Sequence, residues 1–343
     1  MSGVTNRERR VLVTGGAGFI GSHTCVDLLQ HGHELVVVDN LANASAVALE
    51  RVAELADRAV SFREVDLRDR AGLDAVFREF NVDSVIHFAG LKAVGESVAT
   101  PLAYYDNNVG GTITLLESMQ AHGVRSLVFS SSCSIHGQVD SGPIAEDCPA
   151  APTNPYSRTK WMIEEILGDL CVAEPEWSAV SLRYFNPIGA HPSGRIGEDP
   201  TGIPNNLMPY VMQVAVGNLE QVQVFGDDYP TRDGTGVRDY IHVMDLAAGH
   251  RLALDHIDDR SGHRVYDLGT GTGTTVLELI AAAGAASGVE IPYEIVARRA
   301  GDVASLVADP TLAREELGWV AGQTIEAMCA DSWRWQSTNP TGL

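Results

Sequence analysis

Three glycines, Gly15, Gly18 and Gly21, recur at three-residue spacing immediately after the apolar run 11–14. A Gly-x-x-Gly-x-x-Gly pattern between a β-rich run and a helical one restricts the possible folds more than any other feature here. It calls for a strand that stops sharply, a turn that side chains would block, and a helix that starts over the strand end. Gly15 allows the tight turn, Gly18 lets backbone approach a pyrophosphate, and Gly21 lets helix and strand pack closely. The helix N-terminus, with Phe19 and Ile20 in its first turn, offers free N–H groups and a partial positive charge to phosphates.

The rest of the first half repeats this rhythm. Strands are predicted at 11–14, 34–39, 59–64, 84–87, 126–130 and 179–184, with helices reaching Gln30 and over 47–56, 70–80, 104–121 and 155–172. Alternation at this spacing indicates parallel βαβ units. Nearly continuous apolar strands indicate a sheet covered by helices on both faces. After Asn186 the texture changes. Residues 187–236 are rich in Pro, Gly, Asn and Asp, with a helix near 207–216; a helix near 243–257 and a strand at 265–268 follow, and the tail from 275 mixes both. The expected fold class is α/β: a Rossmann-type doubly wound parallel sheet with a smaller, interleaved mixed α/β substrate-binding domain. Residues 8–186, with a return segment at about 237–270, form the dinucleotide-binding domain; 187–236 and 271–338 form the other.

The second strand ends at Asp39, about twenty residues beyond the glycines. An acid there accepts hydrogen bonds from the adenosine ribose and repels a 2′-phosphate, and Asn40 rather than Arg follows it. The expected cofactor is therefore NAD. Asp66 and Leu67 follow the third strand, where they can meet the adenine, and Phe88-Ala89-Gly90 ends the fourth. Ligands of open α/β sheets bind beyond such strand ends.

The fifth strand runs into Ser130-Ser131-Ser132, and Tyr156 and Lys160 lie one turn apart on a helix that Pro155 starts. A free Tyr, with a pKa of about 10, is a poor base at neutral pH. An ammonium one turn away and a cationic nicotinamide favour the phenolate. It can then take a proton from a sugar hydroxyl while the adjacent carbon gives up hydride, with Ser132 hydrogen-bonded to the same hydroxyl. Tyr-x-x-x-Lys alone also describes a surface pair; the glycines and the serine give it meaning.

With these motifs the chain resembles the extended short-chain dehydrogenase/reductase family, in its sugar-nucleotide 4-epimerase branch, from Val11 to about Gln336. The most specific stretches are 87–97, 104–108, 183–187, 202–210 and 233–243, the last reading Asp-Gly-Thr-Gly-Val-Arg-Asp-Tyr-Ile-His-Val. The resemblance implies interconversion of UDP-glucose and UDP-galactose. NAD stays bound and is recycled: C4 is oxidised, the 4-keto sugar turns, and hydride returns to its other face. It implies that Lys92, Asn107 and Phe185 contact the cofactor. Asn186, Asn206, Arg238, Arg299 and Asp302 hold the UDP-sugar, with Val224 and Phe225 near the uracil. Arg suits a diphosphate because its fork binds oxyanions bidentately. It further implies a homodimer formed through the helices at 104–121 and 155–172. Two positions depart from the pattern. His136-Gly137 stands where many relatives have Tyr-Gly. Leu306 falls where some carry a bulky Tyr, which leaves room for N-acetylated hexosamines or another UDP-sugar. A 4,6-dehydratase would want an acid–base pair where Cys133 and Ser134 stand, and a non-catalytic NAD-binding regulator would not need Tyr156, Lys160 and Ser132.

Composition bounds the partners. The 343 residues carry 24 Lys+Arg against 45 Asp+Glu, a net charge of −21, so neither nucleic acid nor an anionic membrane is an expected partner. Only two cations are Lys, Lys92 and Lys160, and both fall in the candidate site. The five cysteines show no Cys-x-x-Cys pair, residues 1–10 are polar, and no apolar run approaches a membrane span. A cytoplasmic protein with free thiols is expected. No metal is expected; His31 and His33, at the end of the first helix, are expected to be solvated or helix-terminal.

Overall fold

A computed structural model describes residues 8–343 except 138, 140, 141, 260, 300 and 301. Most of the polar N-terminal stretch thus lies outside the described residues. The first half runs β1 (Arg10–Thr14), α1 (Phe19–Gln30), β2 (Glu34–Asp39), α2 (Val47–Ala56), β3 (Ser61–Glu64), α3 (Arg70–Glu79), β4 (Ser84–His87), α4 (Val94–Ala99), α5 (Pro101–Tyr104), a π-helical turn (Tyr105–Gly110), α6 (Gly111–Ala121) and β5 (Ser126–Ser132). After α7 (Pro155–Ala173) and β6 (Ser178–Tyr184) come β7 (Asn186–Ile188), α8 (Leu207–Ala215), β8 (Val222–Phe225), β9 (Val237–His242), α9 (Val243–Asp255) and β10 (Gly262–Leu268). The chain closes with β11 (Gly273–Thr275), α10 (Val276–Ser287), β12 (Tyr293–Val296), β13 (Ser305–Leu306), α11 (Thr311–Leu317) and α12 (Ile325–Thr338).

Seven strands form one sheet in the order β10-β6-β5-β4-β1-β2-β3, every pairing parallel. Alternate residues of each strand go to opposite cores. Val11, Val13 and Val37 pack with α1, α2 and α9 on one face. Leu12, Val36 and Val38 pack with α3, α6 and α7 on the other. The doubly wound parallel sheet is as the sequence predicts. Because the strands are parallel, all their carboxyl ends lie along one edge, which is where the candidate site residues collect.

A second set of strands centres on β9. It pairs antiparallel with β11 and parallel with β13 and β7, while β8 and β12 form a two-stranded ribbon. Helices α8, α10 and α12 supply the third core. A small fourth cluster, Cys133, Ile144, Phe185 and Ala308 with Leu306 against it, joins the two sets of strands next to Ser132.

Several expectations need correction. The helix predicted over 104–121 is broken into α5, the π-helical turn and α6. A π-bulge in a helix commonly marks a function, and this one carries Asn107 and Asn108. The irregular segment 187–236 contains two strands, β7 and β8, and α4 and β9 carry structure where none was expected. His33 is fully buried, its Nε2 3.7 Å from Asp255, and only His31 is partly solvated at the helix end. A histidine just past a helix is solvated only if no other element covers it, and α9 covers this one. None of the five cysteines is paired.

Candidate active site

The first strand end is built for a phosphate-bearing ligand. Gly15 sits at φ 70°, and a Cβ there would lie 2.6 Å from the Ala89 nitrogen. A Cβ on Gly21 would lie 2.3 Å from the Gly15 carbonyl oxygen. Both positions are closed to any side chain, whereas a Cβ on Gly18 meets only the Gly15 oxygen, at 3.4 Å. Gly18 is the N-cap of α1, no side chain caps the helix, and no acid stands in its first turn. The amides of Phe19, Ile20 and Gly21 therefore have no intrahelical partner. Asp39, buried at the end of β2, accepts from the Ala17 amide (3.1 Å) and the Leu41 amide (2.9 Å). Burial raises its pKa against those two hydrogen bonds. One oxygen ties the glycine turn to β2, and the lone pairs that remain suit ribose hydroxyls. An uncapped helix start, a turn closed to side chains and this acid together fit a dinucleotide.

Asp66 is engaged within the protein. Arg68 pairs with it at 2.8 Å and holds its carboxyl well below the usual range, and Asn40 donates to it at 3.0 Å. Leu67 is buried in the core. At the end of β4, Phe88 and Ala89 donate their amides to the Thr14 carbonyl. Behind them His87 is clamped: Thr14 lies 2.7 Å from Nδ1 and Thr112 2.9 Å from Nε2. Thr112 donates onward to the Asn108 carbonyl, so it accepts from Nε2–H, and Thr14 donates to Nδ1. Burial holds this histidine neutral, down to about 3.

The π-helical turn is tied in by Asn108. Its Oδ1 accepts from the Leu91 amide (2.8 Å) and from Asn107 (2.9 Å), and its Nδ2 donates to the Leu91 carbonyl (3.0 Å) and to Thr159 of α7 (3.1 Å). Asn108 thus joins the loop Gly90–Lys92, Asn107 and the tyrosine helix. The sequence motif around 107 did not single it out, because its role lies in partners distant along the chain.

Asn154 caps α7, accepting from the Ser157 amide at 2.9 Å, and Pro155 opens it. Tyr156 and Lys160 then fall on one face. Lys160 is buried, donates to the Ser130 carbonyl at 2.6 Å, and lies 4.8 Å from the Phe129 ring and 6.0 Å from the Tyr156 ring. Ser132, the last residue of β5, contacts Ser134 at 2.9 Å and is a hydrogen-bond partner of Tyr156. The electrostatics depart from the sequence expectation. Burial pushes the Tyr156 phenol up to about 12, opposed by the Ser132 hydrogen bond. Burial also pulls the Lys160 ammonium down to about 8, opposed by the charge of Glu164. Within the protein alone desolvation prevails, so a neighbouring lysine does not by itself make Tyr156 a phenolate at neutral pH.

The opposite wall comes from the second set of strands. Asn186 opens β7, and Phe185 packs with Cys133 and Ile144. Lys92 and Asn206 meet on one carboxylate: each donates to Glu198 Oε1 at 3.0 Å. Glu198 was not anticipated, since nothing local marks it. Arg238 of β9 lies beside Leu306 of β13 in register, donates to the Val303 carbonyl at 3.0 Å, and is 3.9 Å from Asp302. The Arg299 guanidinium lies 3.8 Å from the centre of the Phe225 ring. Val224 points into the third core and its backbone is paired with β12, so of the two residues Phe225 is the one left at the strand end. His136 is buried, with Nε2 3.4 Å from Arg183. Among the described residues no group of three His, Cys, Asp or Glu side chains is placed to hold a metal ion, and no helix is long and apolar enough to cross a membrane.

Comparison with known proteins adds to this geometry. The profile of the NAD dependent epimerase/dehydratase family matches residues 11–269. A UDP-glucose 4-epimerase of Bacillus subtilis is 60% identical over 332 residues, covering 97% of this chain and 98% of its own. The solved UDP-glucose 4-epimerase of Bifidobacterium longum, in complex with NAD+ and UDP, superposes with a TM-score of 0.94 at 55% identity, covering 97% of this chain and 100% of its own. That of Stenotrophomonas maltophila, with bound NAD and formylated UDP-arabinopyranose, gives a TM-score of 0.95 at 50% identity, over 97% and 99% of the two chains.

Proposed function

The chain belongs to the NAD dependent epimerase/dehydratase family, and from that premise we propose that it interconverts UDP-glucose and UDP-galactose with NAD as a retained, recycled cofactor. The observation that carries the proposal is the meeting of Ser132, Tyr156 and Lys160 at one strand end, next to a glycine turn closed to side chains. When bound, NAD supplies a hydride acceptor that gives the hydride back. Gly15, Gly18, Phe19, Ile20, Gly21, Asp39, Asn40, Asp66, Leu67, Phe88, Ala89, Gly90, Lys92, Asn107, Lys160 and Phe185 form its site. Asn186, Asn206, Val224, Phe225, Arg238, Arg299 and Asp302 hold the UDP-sugar.

Tyr156 accepts the proton of the sugar 4-hydroxyl and later returns it to the same oxygen on the inverted carbon. Ser132 bridges that hydroxyl and the phenol. Lys160, fixed by the Ser130 carbonyl, supplies the positive charge that favours the phenolate, and the cationic cofactor adds to it. Arg238 and Arg299 anchor the diphosphate and uridine end, leaving the hexose free to turn. We further assign residues 8–186, with the return segment at about 237–270, to cofactor binding, and 187–236 with 271–338 to the sugar nucleotide. By its pairing, β9 goes with the smaller sheet.

The acting species is a cytoplasmic homodimer in this proposal. Of the two helices expected at the interface, 104–121 and 155–172, α7 is kept, while the exposed apolar group beside it lies on α4 and α5 just ahead of 104–121: these adjoining helices expose Val94, Val98, Leu102 and Met162. Isolated apolar residues are common on surfaces; a group on adjoining helices suits a second copy.

Leu306 favours a second, additional substrate. It packs against the cluster containing Cys133 and Phe185, beside Ser132, where a bulkier side chain would take up room. The experiment is direct. Purified protein is given UDP-galactose with no added NAD, and UDP-glucose is followed. Tyr156→Phe is expected to lose about 10²- to 10⁴-fold in kcat, and full activity in that variant would sink the mechanism. In the same assay, turnover of UDP-N-acetylglucosamine supports the Leu306 argument and its absence defeats it.

A further inference from the structure

The face of α7 that carries Tyr156 and Lys160 continues one turn further, to Glu164. This acid is 2% exposed, and its carboxylate is held from two strands. Arg183 of β6 donates Nε to Oε1 at 3.1 Å and Nη2 to Oε2 at 2.7 Å. Ser131 of β5 donates its hydroxyl to Oε1. Three successive serines of one strand end are thereby engaged by one helix face: Ser130 by Lys160, Ser131 by Glu164, and Ser132 by Tyr156.

We propose that Glu164 is a positioning residue for the reaction: its buried carboxylate, held by Arg183 and Ser131 one helical turn from Lys160, adds negative charge that helps keep the ammonium cationic beside Tyr156. This rests on the roles proposed for Tyr156 and Lys160. The surroundings leave no other candidate among the described groups. Lys160 faces Tyr156 and Glu164 on its own helix, neutral His87 from β4, and the Phe129 ring and Ser130 carbonyl of β5. Around Glu164 stand Arg183, Asp267 and His263 from the strands and His136 and Glu146 from the segment after β5. Burial holds both histidines below the usual imidazole range. Burial and the neighbouring Glu146 push Asp267 up to about 8, so at neutral pH it is largely uncharged. Arg183 fixes the orientation of Glu164 through two parallel hydrogen bonds. The charge of Glu164 opposes the desolvation that would otherwise strip the ammonium of its proton.

The test is the pH dependence of kcat for UDP-galactose in the full protein. Glu164→Gln is expected to move the alkaline limb down by about one pH unit, the lower end of an opposite-charge effect. KM should stay within about two-fold, because the nucleotide is held elsewhere. Glu164→Asp, which keeps the charge, should recover most of the shift. Should Glu164→Gln leave Arg183 unpaired and the fold lost, the double variant Glu164→Gln/Arg183→Met removes both buried charges, an exchange that cores commonly tolerate, and must shift the limb in the same direction by a smaller amount, since of the two charges Glu164 is the nearer to Lys160, one turn along the helix. An unshifted limb in the variant that folds overturns the proposal. Failure of the underlying mechanism has a different signature: Tyr156→Phe would stay active, or Lys160→Met would keep the parent's alkaline limb.

Discussion

At the scale of single residues, burial decides more than neighbours do. Tyr156 and Lys160 are both displaced by desolvation toward their neutral forms, to about 12 and about 8. The charges placed around them, Glu164 within the fold and a cationic ligand outside it, work against that displacement. Asp267 shows the same physics with no hydrogen bond to its carboxyl among the described residues to soften it, only the charge of Arg183. Its carboxyl is fully buried, and neither oxygen has a hydrogen-bond partner among the described residues. Burial pushes it up to about 8. An unfolded Asp ionises near about 4. Between these values the folded state keeps a proton that the unfolded chain has lost. The stability this group allows is therefore full below about pH 4 and falls as pH rises through about 8. In Asp267→Asn that fall should disappear. Thermal unfolding of variant and parent should diverge from pH 5 to pH 8 in the variant's favour, by on the order of 1–3 kcal/mol. Parallel pH profiles would show that Asp267 is ionised or bonded in the folded protein.

At the scale of elements, the β1–α1 turn and the start of α7 place the chemistry. The glycine turn was legible because its constraint is local: a positive φ at Gly15 and contacts below 3 Å leave no room for a Cβ. Gly15→Ala should release the cofactor during gel filtration and lower the melting temperature, since it combines backbone strain with a clash against Ala89. A variant that retained cofactor with unchanged melting would contradict the close packing. Helix α7 was equally legible, from Pro155 and the four-residue spacing of Tyr156 and Lys160, while its Asn154 cap emerged with the structure. Strand β9 was not, although it carries Arg238. Its charged members conceal the alternation expected of a strand. Asp239 is buried there because Thr270, Gly271 and Ala308 donate to it from distant segments. Polar residues satisfied across the fold look like loop residues in sequence. The π-helical turn was hidden likewise, because 104–121 has a helical pattern and the offset shows only in the bonds that Asn108 makes to Leu91 and Thr159.

At the scale of the whole molecule, the acidic balance and the anionic ligands are reconciled by placement. A chain of net charge −21 keeps Lys160 buried in the sheet edge and Lys92, Arg238 and Arg299 along the opposite wall. Association with a second copy belongs to this scale. Val98 is 64% and Leu102 81% exposed on adjoining helices. Sedimentation should give twice the chain mass for the parent and a monomer for Val98→Glu/Leu102→Glu. A parent that sediments as a monomer would exclude the proposed dimer.

The sequence by itself determined the doubly wound sheet, the dinucleotide turn and the Ser132, Tyr156, Lys160 group. Each of these is set by residues close together along the chain, where periodicity, glycine stereochemistry and helical spacing act directly. Only the tertiary structure decided that Glu198 receives both Lys92 and Asn206, that Glu164 and Arg183 sit behind the lysine, and that His33 and Asp267 are buried. Those facts depend on desolvation and on partners distant along the chain. Both are properties of the packed whole, which no local pattern of residues encodes.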